Sequence, residues 1–568
     1  MWALARWKRN GALASILLLS GSLMVYGLWW GLPDRWCFDE QVTYSLRLLA
    51  SGSPFTVANA VHPQLYNFFL AAVLAPYLLY LKVSGFPLHE LQAAASVSWL
   101  TLVRAFPDVA TTVYLIGRGA SVVLGMLSLL LVYRIGRLLY GERAGLLAAL
   151  VLGISLGFVD THHLAKHTAL VVFLVLVVGD LALSAYQQTD RRRLFWASFF
   201  SGLASTAKLD GVISALLVIA SFSYGWVRPS FAHGGLQARR ALLGHGVRLL
   251  ACWATGLALG WPALFTRGDA YLAGRQAGLG LFYGGLPPLS LQGVQLVMGK
   301  VWDTVLHTLV VFGAPLGVMA LVSLGWFAAT CRQHIPSRIV GWMVAGYLVV
   351  VIGYFTEFPG GSTKLMVHLL PLLAIIVGGF CATVRWPRRV VNLALVGGVA
   401  WGGWMTWRAD RVYADGDTRY LATRWILSSI PRGTRIEHVQ EVELFGSSRL
   451  LEEYDMVFLD RHSQSYPGNF YKLDGGIRQR DAYLARLDRV GSTADYVIIG
   501  HWGKSFLRQP KPQTFLGRLV NDNDPQYELV KVFAHEGSGL VNPRPEHASP
   551  VIKVFKRRIA RRMAQGMN

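Results

Sequence analysis

The stretch Cys37–Phe69 organises the chain. It begins Cys-Phe-Asp-Glu-Gln-Val-Thr-Tyr (37–44), passes the turn-rich Ala50–Pro54, and closes on Val-His-Pro-Gln-Leu-Tyr-Asn-Phe-Phe (61–69). The adjacent carboxylates Asp39 and Glu40 follow the first strongly apolar segment. A helix leaving a bilayer would set them at the membrane-water boundary, beside lipid headgroups and phosphates. A solvated loop or a helix N-terminus carries such a pair equally well. The flanking sequence has to decide between these readings.

On the N-terminal side, Trp2–Asn10 is basic and aromatic, and Gly11–Pro33 contains no charge at all. That run is long and lacks a small-residue cleavage site, so it reads as a retained first span. Arg6, Lys8 and Arg9 then place its start in the cytoplasm, and Asp39 and Glu40 on the other face. Composition supports many more spans. Of 568 residues 53% are hydrophobic and 15% charged, with a mean hydropathy of +0.39. The net charge of +22 comes largely from Lys/Arg clusters between apolar runs, where it sets topology and meets anionic lipid. No zinc-finger spacing or aromatic-basic platform accompanies it, so nucleic acid is not an expected partner. The four cysteines (37, 252, 331, 381) are scattered and suggest neither a disulfide framework nor a metal-binding pair.

Five basic clusters mark cytoplasmic turns: Arg134–Arg143, Arg191–Arg193, Arg228–Arg248, Arg332–Arg338 and Arg385–Arg389. Between them the sequence predicts spans near 113–131, 144–159, 168–186, 194–207, 211–227, 249–265, 304–330, 339–356, 365–384 and 390–407, about eleven with the first. The first outer loop then runs over 34–108, and the apolar helix 65–81 lies along or dips into the outer interface; crossing, with a partner hidden in 91–106, is the alternative. After residue 407 the composition changes. Residues 408–568 alternate polar turns with β-like runs (454–459, 496–499, 528–533, 551–555) and one amphipathic helix (417–429). The expected fold class is therefore a polytopic α-helical membrane protein (1–407) carrying a C-terminal soluble α/β domain (408–568), with an odd number of spans placing that domain outside.

Few titratable groups face outward in this scheme. His62 leads into an apolar helix behind Pro63. In Thr161–His167, His163 and His167 are spaced to share a helix face, which leaves a divalent metal open as a cofactor. Lys208 and Asp210 interrupt an apolar hairpin; charges there sit at the mouth or have a partner. Arg118 and Lys364, near the outer ends of spans, are snorkelling anchors or, together with Arg275, a cationic mouth suited to a lipid phosphate.

These local patterns resemble the polyprenyl-phosphate-dependent membrane glycosyltransferases of the GT-C superfamily, which include protein O-mannosyltransferases and lipid A aminoarabinose transferases. Phe38-Asp39-Glu40 followed by His62-Pro63-Gln64-Leu65-Tyr66 is similar to the family's first outer loop. Gly117-Arg118 through Tyr133–Arg137 and Gly141–Ala144 resembles the next hairpin, Gly202–Lys208 its Gly-Leu-Ala, Thr-Lys turn, and Lys364 through Leu369-Leu370-Pro371 a later span. In the second outer loop many relatives carry an Asp where this chain has His167 or Thr168. The resemblance covers residues 7–407.

It implies a multi-pass plasma-membrane enzyme that moves a sugar from a polyprenyl-phosphate carrier to a hydroxyl of a lipid, glycan or protein acceptor on the extracytoplasmic face. Asp39 would be the general base and Glu40 its orienting neighbour; His62, Arg118, His163, Lys208 and Lys364 would bind substrate. The rival is a catalytically degenerate scaffold on the same frame, or a lipid-binding or transport protein. Transporters place charges near the midplane and often show internal repeats, whereas here the charges cluster at one end.

Overall fold

The computed structural model describes residues 2–32, 40–53, 63–97, 102–103, 105–233, 236–266, 291–353, 361–440, 450, 453–458, 487, 491–501, 513–534 and 551–558. Its longer helices are α1 (Trp2–Val25), α2 (Val42–Ser51), α3 (Leu65–Val83), α4 (Leu88–Val97), α5 (Pro107–Tyr140), α6 (Glu142–Gly153), α7 (Leu156–His162), α8 (His167–Gln188), α9 (Arg191–Ala207), α10 (Ala215–Phe222), α11 (Leu236–Gly260), α12 (Leu291–Phe312), α13 (Ala314–Thr330), α14 (Ile335–Gly353), α15 (Gly361–Thr383) and α16 (Arg388–Arg411). Among the described residues six helical segments are long and apolar enough to cross a membrane, or seven if α6 and α7 count as one. Leu65–Val83, expected to lie along or dip into the outer interface, is one of the six.

Helix α5 is the axis of the bundle. Pro107 opens it, where a missing N–H costs nothing, and Gly141 ends it with φ +91°. From Arg118 to Arg137 it rises roughly 28 Å, about the thickness of a hydrocarbon core. Its far end packs on small residues: a side chain at Gly145 would meet the Tyr133 carbonyl, and one at Gly378 of α15 would meet the Ala144 carbonyl, so α5, α6 and α15 approach backbone to backbone. Arg134 pairs with Asp180 of α8 at 3.0 Å at this same end, and Arg143 donates to Asn392 at the start of α16. Arg134 and Arg143, of the first basic cluster, thus lie at this end with partners from α8 and α16.

Two expected spans are built differently. The segment expected as one span over 144–159 is bent by 65° between α6 and α7 and continues to His162. Ser155, in an extended conformation, breaks the helical path at the bend and turns its hydroxyl back to the Leu152 carbonyl. The segment expected as one span over 304–330 is two helices: Gly313, at φ +77°, ends α12 and starts α13, and Gly317 then packs on Leu309. An apolar run hides such a break, because glycine does not interrupt hydropathy.

Past α16 comes a five-stranded mixed sheet of order β2-β1-β3-β5-β4, from β1 (Arg435–Gln440), β2 (Asp455–Phe458), β3 (Tyr496–His501), β4 (Tyr527–Phe533) and β5 (Val551–Arg557). β1 runs parallel to β2 and β3, and β5 runs antiparallel to β3 and β4. Side chains alternate along β3. Ile498 packs with Ala422 and Ile426 of α17 (Thr418–Ser429), whereas Val497 and Ile499 pack with Leu516 and Leu519 of α18 (Phe515–Val520). A helix is found at Thr418–Ser429, and strands β2, β3, β4 and β5 overlap the four expected β-like runs. The unforeseen strand, β1, reads Arg-Ile-Glu-His-Val-Gln, and its buried Glu437 and His438 mask the strand pattern.

Candidate functional site

Glu40 is the first described residue after Asp39, and its surroundings are closed. Its carboxylate accepts a two-point fork from Arg118: Nε to Oε1 at 2.8 Å and Nη2 to Oε2 at 2.9 Å. The Ala165 N–H also donates to Oε1 at 3.1 Å. Arg118 Nη1 donates to the Leu28 and Trp30 carbonyls, each at 2.7 Å. Both side chains of the pair are fully buried. A buried pair holds when geometry is bidentate and the remaining polar atoms are bonded, which is the case here. The sequence left Arg118 as a snorkelling anchor or part of a cationic mouth; the structure does neither and buries it against Glu40. Asp39 and His62 lie outside the described residues, as does Arg275. Lys364 belongs to α15, with its side chain outside the described set.

Trp30 extends this closed assembly toward the C-terminal region. Its indole Nε1 donates to Asp417 Oδ2 at 3.0 Å. Asp417 caps α17 and forks Arg419, Nε to Oδ1 at 2.9 Å and Nη2 to Oδ2 at 2.8 Å. Burial opposes ionisation of the Asp417 carboxyl, but the Arg419 charge and hydrogen bonds, with the Trp30 bond, bring it below the ordinary carboxylate range. Trp30 packs with Leu164, Val412 and Tyr413.

His163 lies in the same neighbourhood. Its Nε2 is 2.9 Å from the Tyr26 carbonyl and 3.2 Å from that of Leu23, so this nitrogen carries the proton and donates. Its Nδ1 faces Asp410 at 3.8 Å, and Tyr413 donates its hydroxyl to Asp160 alongside. His163 therefore seats the end of α1. His167 opens α8 and is buried. The helix face expected to join His163 and His167 is not formed, because α7 ends at His162 and α8 begins at His167; among the described residues no three His, Cys, Asp or Glu side chains gather as metal ligands.

A second cluster is more open. Lys208 ends α9, and a 3-10 turn, Leu209–Ser214, brings Asp210 back to it. Lys208 Nζ lies 3.0 Å from Asp210 Oδ2, which is 2.8 Å from His368 Nε2 of α15. Tyr347 of α14 stacks on His368, with ring centroids 5.8 Å apart. The Tyr347 hydroxyl and His368 Nδ1 are buried and make no hydrogen bond among the described residues, while Lys208 keeps 17% of its side chain exposed. Sequence reasoning missed His368 and Tyr347. Each is a polar residue flanked on both sides by apolar ones within its helix, and that isolation was the signal.

Both clusters lie toward the same end of the bundle. Gly157 of α7 packs on Leu370, two residues after His368, and Ala165 bonds Glu40. α16 runs from Asn392 beside Arg143 to Asp410 beside His163, so the C-terminal region leaves the bundle at that end as well.

Comparison with known proteins agrees with the resemblance read from the sequence. Residues 96–242 match the family model described as dolichyl-phosphate-mannose-protein mannosyltransferase. That stretch holds Arg118, His163 and Lys208. Similar solved structures include ArnT from Cupriavidus metallidurans bound to undecaprenyl phosphate (TM-score 0.46, 13% identity, covering 96% of this chain and 98% of that one). The Archaeoglobus fulgidus oligosaccharyltransferase AglB, in complex with an inhibitory peptide and a dolichol-phosphate, gives TM-score 0.47 and 11% identity over 98% and 89%. The arabinofuranosyltransferase AftD from Mycobacteria gives 0.41 and 14% over 97% and 40%. No curated protein matches the chain.

Proposed function

We propose that this protein is an integral-membrane glycosyltransferase that moves a sugar from a polyprenyl-phosphate carrier to an acceptor hydroxyl on the extracytoplasmic face. The observation that carries the reading is Glu40, locked by Arg118 and Ala165 next in sequence to Asp39, at the end of the bundle that also holds Lys208. Glu40 is thereby an orienting group, and its anchorage fixes the chain at the residue that follows Asp39. Asp39 acts as general base. The acceptor oxygen attacks the anomeric carbon, its proton passes to Asp39, the bond from that carbon to the phosphate oxygen breaks, and polyprenyl phosphate leaves with the electron pair. Lys208 and the Tyr347 hydroxyl meet the leaving phosphate. Arg118 serves the site through Glu40, and His163 through the seat of α1. The C-terminal α/β region is extracytoplasmic and covers the acceptor.

The test uses full-length protein in membrane vesicles from cells that make it, which supply the acceptor, with undecaprenyl phosphate carrying mannose, arabinose or 4-amino-4-deoxyarabinose as donor probes. Release of undecaprenyl phosphate is measured. Asp39→Asn should lower release by about a hundredfold or more, the scale of a positioned general base, while donor binding persists. Release at the normal rate from Asp39→Asn would remove the base from this scheme and favour a lipid-binding scaffold on the same frame.

A further inference from the structure

Four charged side chains and one indole make a continuous buried path from the C-terminal region to the first outer loop. Arg419 and Asp417 form a fork at the start of α17; Asp417 accepts from Trp30; the Trp30 carbonyl accepts from Arg118; Arg118 forks Glu40. Glu40, Arg118 and Arg419 are 0% exposed, Asp417 2% and Trp30 3%. Both guanidinium groups also approach the Trp30 ring, Arg419 at 4.9 Å and Arg118 at 6.0 Å from its centroid. Cations this close to an indole away from water are held by its π face as well as by their carboxylates.

The burial makes the path selective. A buried carboxylate or guanidinium that loses its partner cannot fall back on solvent, so each link constrains the next. If Asp417 lost its charge, its fork with Arg419 and its bond from Trp30 would both weaken, and the indole is the group these two links share. The Trp30 carbonyl is one of two that Arg118 Nη1 reaches among the described residues, so a shift of Trp30 reaches the Glu40 fork directly. A domain resting on the bundle merely as a cover would need none of this. An apolar seat such as Val412 and Tyr413 against Leu164 would suffice.

We propose that the C-terminal region holds the first outer loop in its working position through Trp30 and Arg118, so that Asp417, Arg419 and Trp30 are positioning residues for Glu40 and the acid beside it. The catalytic consequence rests on the reading of Asp39 given above; the mechanical coupling does not.

Hydrogen exchange on the full-length protein tests the coupling without a substrate. Two amides report it: Gln41, which donates to the Ala165 carbonyl at 3.0 Å, and Ala165, which donates to Glu40. Asp417→Asn keeps an oxygen able to cap α17 but removes the charge and turns one acceptor of the Arg419 and Trp30 bonds into a donor; Trp30→Phe keeps a ring and removes the donor. Each should speed exchange at Gln41 and Ala165 by about tenfold or more, the scale of one lost charge-assisted hydrogen bond. Tyr454→Phe, which loosens the sheet domain by removing the hydroxyl bonded to the Ile426 and Ile430 carbonyls, should leave those two amides unchanged. Exchange confined to residues 412–440 in both Asp417→Asn and Trp30→Phe would overturn the proposal, as would an equal rise from Tyr454→Phe. With the donor probes named above, Asp417→Asn should lower kcat with donor KM unchanged, and should cost nothing further in a Glu40→Gln background. A full loss in that background would overturn it too. Where no probe is turned over, the exchange result alone decides the coupling.

Discussion

The two charged clusters at one end of the bundle are built on opposite plans. In the Glu40–Arg118 cluster the ion pair is two-pointed, both partners are fully buried, and backbone groups take up further valences. In the Lys208–Asp210–His368 cluster one carboxylate oxygen draws two cationic or proton-bearing groups together, Lys208 stays partly exposed, and the buried Tyr347 hydroxyl and His368 Nδ1 have no hydrogen-bond partner among the described residues. Buried polar groups are normally bonded, so unpaired ones invite a ligand. The contrast teaches that a charge in an apolar bundle is not by itself a site. The first cluster is a joint, and the second has valences to spare.

Breaking the joint should have the largest effect. Arg118→Leu leaves the Glu40 carboxylate buried without its charge partner, and loss of one partner of such a pair costs about 3–5 kcal/mol. Thermal unfolding of the purified protein should show a large drop in melting temperature, and much of the variant should fail to reach the membrane. A melting temperature within a degree of the native protein's would mean that Glu40 is held by other groups.

Lys208→Ala should behave in the reverse way. Asp210 keeps His368 at 2.8 Å, so stability should fall little, whereas binding of undecaprenyl phosphate should weaken about tenfold or more, as expected for loss of a charge-assisted bond to phosphate. Titration of labelled undecaprenyl phosphate measures the second quantity and unfolding the first. A strong loss of stability with unchanged binding would make this cluster a joint like the other.

The smallest effect sharpens the contrast most. Tyr347→Phe removes a buried hydroxyl that has no hydrogen-bond partner among the described residues, so it should leave the melting temperature unchanged or raise it slightly. If the hydroxyl meets the phosphate, the same substitution weakens undecaprenyl phosphate binding by a few fold. Unchanged binding would assign the phosphate to Lys208 without Tyr347.

The legible part of the fold follows from its physics. Apolar runs separated by Arg clusters announce a helical bundle because charge is costly in hydrocarbon, and Arg134 and Arg143 do meet their partners at one end. The C-terminal strands at 496–501 and 551–557 were legible from short β-branched and aromatic runs. The break at Gly313 and the bend at Ser155 were not, since neither residue lowers hydropathy enough to punctuate a span. Of the candidate site, Glu40 was singled out as half of an adjacent carboxylate pair past the first apolar run, and Lys208 as one of two charges, with Asp210, in an apolar hairpin. His368 and Tyr347 were passed over because one polar residue in an apolar helix looks the same whether it is a core member or a ligand.

The sequence by itself determined that this chain is a many-helix membrane protein with a β-containing C-terminal region, and that a carboxylate pair stands just past its first apolar run. Tertiary structure alone decided which charge answers which. Glu40 finds Arg118 at a separation of 78 residues, Lys208 finds His368 at 160, and Trp30 finds Asp417 at 387. Those partnerships depend on the rotation and register of packed helices. Hydropathy fixes that a helix is buried but leaves free which of its faces a neighbour meets, and only close packing of small residues such as Gly136, Gly145 and Gly378 selects one face.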